Sequence, residues 1–133
     1  MKLHILAAAG VAALATLTFV PPASAASSDC ANGGLCLWDD SGFTDTRKRF
    51  TASENDMNDI GFGDKASSAY NRTSVAWVLW GNHDYTGDAL CLKAGASSTN
   101  LDNFSGFGDK TSSAKKRSNN TCPSGVTAVT GPN

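Results

Sequence analysis

The nine residues Gly61–Ala69 read GFGDKASSA, and Gly106–Ala114 read GFGDKTSSA. Eight of nine positions agree within a chain of 133 residues. The echo extends upstream: LCLWDDSGFTD (Leu35–Asp45) aligns with WVLWGNHDYTG (Trp77–Gly87), placing Trp38 on Trp80, Phe43 on Tyr85 and Thr44 on Thr86 at an offset of 42. The later phrase aligns at an offset of 45, so the second copy carries three extra residues between its halves. Duplication on this scale predicts two similar units that bury their apolar sides against each other, because neither can bury its own alone.

Within a copy the signals are those of strands. Leu35 and Leu37 alternate with Cys36 and Trp38, and Trp77 and Leu79 with Val78 and Trp80. This is the period of a half-buried β-strand. Turn residues follow at Asp39–Gly42 and Gly81–Asp84, then second strands around Arg47–Phe50 and Ala89–Leu92. Each repeated phrase leads into a further strand, about Ser67–Thr73 and Ser112–Ser118, with a turn of helix near Asn55–Asp59. The reading is all-β, four short strands per copy, the copies packed face to face.

The first 25 residues stand apart. Lys2 precedes a sixteen-residue apolar run, Ile5–Val20, and PPASA ends with small residues at Ala23 and Ala25. This is the pattern of a secretory signal peptide cut after Ala25, and the run is short for a bilayer span of about 20 residues. Residues 26–133 then form one domain, with repeat one at about 30–73, repeat two at about 77–118 and a loose tail over 123–133. Without Lys2, ten basic residues face twelve acidic ones, so no single-sign field draws nucleic acid or anionic membrane. A self-contained monomer is expected.

Cys30, Cys36, Cys91 and Cys122 all lie in the exported part, where an even count reads as two disulfides. Three pairings are possible. The glycine-containing segment between Cys30 and Cys36 permits a tight loop, which favours Cys30–Cys36 with Cys91–Cys122. Zinc is the rival reading, but there is no C-x-x-C pair and one histidine, His83, remains. No G-x-S-x-G elbow, phosphate loop or H-E-x-x-H is present, so no enzyme is expected.

The corner Trp80, Tyr85, Gly87, followed by GDKTSS at Gly108–Ser113, resembles the Greek-key motif of βγ-crystallins. The resemblance covers about residues 30–118. It implies a disulfide-stabilised sandwich of two Greek keys, a glycine at a left-handed backbone angle, and a serine (Ser68, Ser113) that ties each hairpin down. The first copy has Asp45 in the glycine's place. The opening CANGGLCLW, Cys30–Trp38, is similar to the start of the Streptomyces metalloproteinase inhibitor family, whose members are secreted and βγ-crystallin-like.

Calcium-binding βγ-crystallins carry Asn/Asp, Asn/Asp, two variable residues, Ser/Thr, Ser. The resemblance implies calcium ligands at Asp64 with Ser67 and at Asp109 with Ser112, each site borrowing oxygens from a hairpin turn of the other copy, around Asp39–Ser41 or Asn82–Asp84. Glycine at the first position of both phrases, Gly63 and Gly108, removes one oxygen per site. The competing reading is that the phrase is scaffolding.

The function implied is a secreted peptidase inhibitor, directed at metalloproteases, that fills the protease cleft with a loop. The irregular segments Thr51–Ile60 and Ala94–Phe104 are the candidate loops, with Met57, Ile60, Leu101 and Phe104 as apolar side chains for a subsite. The alternative is an extracellular calcium-binding or structural βγ-crystallin without a protease target, and a third reading is a secreted toxin.

Overall fold

A computed structural model describes residues 29–133. The expected signal peptide lies outside the described residues. Eight strands form two four-stranded sheets. Repeat one supplies β1 (Leu35–Asp40), β2 (Thr44–Phe50) and β3 (Ser68–Asn71); repeat two supplies β4 (Trp77–Asn82), β5 (Thr86–Leu92), β6 (Ser97–Ser98) and β7 (Ser113–Lys116); β8 is Thr127–Val129. The first sheet runs β2-β1-β3-β6 and the second β7-β4-β5-β8.

The strand alternation sorts side chains as the sequence pattern requires. Leu35 and Leu37, with Trp77 and Leu79, point between the sheets and are fully buried there with Met57, Phe62, Leu90, Leu92 and Leu101. Their neighbours face outward into two smaller clusters, Cys36 and Trp38 on one sheet and Val78 and Trp80 on the other. Registers correspond between repeats: Trp38 opposes Ser68 as Trp80 opposes Ser113, and Cys36 opposes Tyr70 as Val78 opposes Lys115.

The hairpin corners are alike too. Ser68 Oγ donates to the Asp40 carbonyl at 2.7 Å and accepts from the Phe43 amide at 3.0 Å; Ser113 does the same with Asn82 and Tyr85 at the same distances. Gly87 has φ +82°, and a Cβ there would stand 2.7 Å from the Asn82 amide nitrogen. Asp45, its counterpart, also adopts a left-handed angle, φ 65°, which acidic and amide residues tolerate better than most.

Two expectations are corrected. Of the four strands expected per copy, repeat one forms three, and its sheet takes its fourth from repeat two. β6 of repeat two pairs with β3 of repeat one, and Glu54 of repeat one exchanges both backbone hydrogen bonds with Ala114 of repeat two at 2.9 Å. Each irregular segment thus covers the edge of the other repeat's sheet, which satisfies backbone groups that water would otherwise have to serve. The tail is not loose. Residues Thr127–Val129 pair in parallel with Leu90–Leu92, Val129 is 1% exposed, and Asn133 exchanges backbone bonds with Ser97 and Thr99. The tail's own Thr-Ala-Val alternation and the Cys91–Cys122 bridge hold it against the second sheet.

Candidate functional site

Asp64 and Asp109 sit at positive φ, 55° and 56°, at the turns that open the two repeated phrases. The structure brings the four candidate ligands together across the repeats rather than within them. Ser112 Oγ donates to Asp64 Oδ1 at 2.8 Å, and Ser67 Oγ donates to Asp109 Oδ1 at 2.8 Å. The backbone follows the same crossing, with the Asp64 amide on the Thr111 carbonyl at 3.0 Å and the Asp109 amide on the Ala66 carbonyl at 2.9 Å. Asp64 also lines a shallow cleft with Asn82 and Asp88, on the hairpin of the other repeat.

The glycines at the first signature position have a local cause. A side chain on Gly63 would collide with the Asn58 amide group, and one on Gly108 would stand 2.5 Å from Asp102 Oδ1, which already accepts from the Gly108 amide at 3.1 Å. The residues missed by the sequence reading are therefore Asn58 and Asp102, which fill the space where the expected side-chain oxygen would stand. Lys65 Nζ lies 4.0 Å from Asp39, and Lys110 lines the cleft beside Asp64. Among the described residues no group of three or more His, Cys, Asp or Glu side chains is placed to hold a metal. The donors are hard oxygens, the kind calcium takes, but each cluster offers fewer than the six to eight that calcium uses, and each carries a nearby ammonium.

The two candidate loops differ sharply. Ala94–Phe104 is incorporated into the fold: Ala96, Ser97, Ser98 and Leu101 are buried, and Phe104 packs on the core. Thr51–Ile60 is mostly exposed, yet anchored. Met57 is fully buried, its amide donates to the Ser112 carbonyl at 2.8 Å, and Asp56 caps the 3-10 turn Met57–Ile60 through the Asn58 amide at 2.9 Å. Of the four apolar side chains expected to reach a partner, Met57, Leu101 and Phe104 are committed to packing. Ile60, 37% exposed, is the exposed large hydrophobic among the described residues.

The loop is also clipped to the second repeat. Asn55 donates to Asp84 Oδ1 at 3.1 Å, and the Asp84 amide donates to the Asn55 carbonyl at 2.8 Å. His83 Nδ1, 2.9 Å away, and then Asn55 hold the Asp84 carboxyl below its usual range. With the folded value lowered, this contribution is whole above the ordinary carboxylate range and fades as pH falls through the lowered value.

Cysteines pair Cys30–Cys36 and Cys91–Cys122, and none is free among the described residues.

Two crossed Greek keys with serine-locked corners define a βγ-crystallin fold, and solved structures agree. A βγ-crystallin from Ciona intestinalis matches with TM-score 0.59 and 26% identity over 64% of this chain and all of that one. A βγ-crystallin from an archaeon gives 0.56 and 16% over 65% of this chain and all of that one. Spherulin 3a from Physarum polycephalum gives 0.55 and 18% over 69% of this chain and 89% of that one. No curated protein matches the sequence. The family model of peptidase inhibitor family I36 matches residues 23–92, and the chain belongs to that family. Family and fold together point to a peptidase inhibitor and away from an enzyme.

Proposed function

We propose that this protein is secreted and inhibits a metallopeptidase by placing the Thr51–Ile60 loop in the enzyme's cleft, with Ile60 as the apolar side chain that enters a subsite. The observation that carries this reading is the combination of exposure and anchoring in one loop: Ile60 is exposed, while Met57, Asp56 and the Glu54–Ala114 bridge fix the backbone beneath it. A loop already held in shape loses little conformational freedom on binding, so less of the contact energy is spent on ordering. Gly61, in the left-handed region at φ +68°, turns the chain directly after Ile60.

The test is inhibition of a thermolysin-like peptidase by the purified protein. Ile60→Asp is expected to weaken inhibition by at least about tenfold, since a buried aliphatic side chain contributes more than the ~1.4 kcal/mol that a factor of ten requires. Its melting temperature should stay at the wild-type value. Inhibition that survives this substitution would move the contact elsewhere; none at micromolar protein would remove the metallopeptidase reading.

A second reading is favoured by the crossed Asp–Ser pairs. Asp109 with Ser67, and Asp64 with Ser112, would hold calcium weakly, with water completing the shell, in the ~10⁻⁴–10⁻³ M range of extracellular modules. Bound calcium would supply a charge that joins the two repeats. The expected result is a rise in melting temperature in millimolar calcium that disappears in Asp64→Ala with Asp109→Ala. A wild-type protein whose melting ignores calcium would leave the phrase as scaffolding.

A further inference from the structure

The outward faces of the two repeats are built on one plan but finished differently. In repeat one the chain covers its own face. Cys30, tied to Cys36, packs with Trp38, Phe43 and Tyr70, and Trp38 is left 2% exposed. Arg72 stacks over the Tyr70 ring at 5.6 Å and donates to the Cys30 carbonyl at 2.7 Å. A loop of the protein therefore supplies both the apolar cover and the oxygen that the arginine needs.

In repeat two the corresponding residues are Trp80, Tyr85, Lys115 and Arg117, and they line an open cleft of about 470 Å³. Trp80 Nε1 and Arg117 Nε are buried donors with no acceptor among the described residues. Lys115 Nζ sits 5.0 Å over the Tyr85 ring. The ion pairs among the described residues are Lys65–Asp39 and His83–Asp84, so no carboxylate answers Lys115, Lys116 or Arg117. Lys116 Nζ reaches only the Thr51 carbonyl, at 3.3 Å.

We infer that this cleft binds a peptide segment of a partner protein carrying an acidic side chain beside an apolar one. The aromatic and aliphatic walls take the apolar group, as Trp38 and Tyr70 take the Cys30 loop in repeat one. The acceptor that Cys30 provides as a carbonyl becomes a carboxylate here, because the cations Lys115 and Arg117 line the cleft and charge-assisted bonds to arginine are the stronger kind. Donors already withdrawn from water gain most when an acceptor arrives. The occupant in repeat one is an internal loop, so the carboxylate is assigned to a side chain and not to a chain end. That the partner is the inhibited peptidase rests on the reading above; the chemistry of the cleft does not.

The test follows the three tryptophan indole N–H signals of the ¹⁵N-labelled protein while short capped peptides are added. Acetyl-Leu-Glu-amide is expected to move the Trp80 signal saturably, with half-saturation at about 1 mM or below, while Trp38 stays still. The neutral acetyl-Leu-Gln-amide should leave Trp80 in place. Lys115→Gln with Arg117→Gln should weaken the glutamate peptide about tenfold or more, whereas Lys48→Gln on β2 should not change it. An equal response to the neutral peptide, a response confined to acetyl-Ala-Leu with a free C-terminus, or unchanged binding by the double variant would each overturn the assignment. No peptidase enters this experiment, so its failure and a failure of inhibition are separate results.

Discussion

Asn71→Ala is expected to lower the free energy of unfolding by about 3–5 kcal/mol, measured by denaturant melts. Asn71 is fully buried. Its amide nitrogen, with two N–H groups, lies within bonding distance of three carbonyls, Val75 at 2.8 Å, Leu92 at 3.0 Å and Lys93 at 3.0 Å, so one N–H is shared. Its amide oxygen accepts from the Thr73 amide at 3.0 Å and the Thr73 hydroxyl at 2.7 Å. One side chain thus joins β3 to the end of β5 and shapes the link between repeats. Removing it strands polar groups from which water is excluded, and an unmet buried group costs about 1–3 kcal/mol. Asn71→Asp should be no better, because a carboxylate has no N–H to give the three carbonyls. Thr73→Val, which removes one partner, should cost only about 1 kcal/mol. A loss below that level in Asn71→Ala would mean the network does not hold the repeats together.

The second large effect belongs to the disulfide Cys91–Cys122. Replacing both cysteines by serine is expected to cost about 3.5–4 kcal/mol, against about 2 kcal/mol for the Cys30–Cys36 pair, because the cost rises with the length of loop released in the unfolded chain. The sequence separations are 31 and 6. Cys122 also anchors the tail on Val78, Cys91 and Val126, so the loss should be accompanied by faster amide exchange over Thr127–Val129. If the shorter bridge proved the more stabilising, the Trp38 cluster it closes, and not chain entropy, would set the order.

The duplicated phrase made the fold legible. Once Trp38 is laid on Trp80, the inward residues of β1 and β4 follow from alternation, while the serine-tied corners come from the resemblance to the βγ-crystallin motif. The crossing of Asp64 to Ser112 and of Asp109 to Ser67 was not legible, since sequence spacing reports neighbours along the chain and these contacts span two repeats. Strand exchange was hidden for the same reason: Glu54 and Ser97 lie in polar segments with no alternation to announce a partner. Val126 and Val129 are isolated apolar residues in a small, polar tail, too weak a signal to predict β8. Asn71 ends β3 just before a turn, where an asparagine is ordinary; only burial reveals its role. Met57 and Leu101 looked available because they sit in irregular segments, but a short 3-10 turn can aim one side chain inward while its neighbours face water. The cleft beside Arg117 was invisible for a different reason. It lies beside Pro123, where the Cys122–Val126 segment packs on repeat two's outer face but leaves Trp80, Tyr85 and Arg117 lining an open space, and the contrast appears only when the two faces are compared in space.

The interleaving of the two halves reaches beyond stability. Lys116 meets Ser53 across a sequence separation of 63, and Glu54 meets Ala114. Such contacts cannot form until nearly the whole chain has emerged, and closing long loops early is entropically unfavourable. The first repeat, made alone, would present a bare strand edge to whatever strand came near, including that of a second newly made chain. Folding with both halves present together suits a polypeptide whose parts are each other's missing strands.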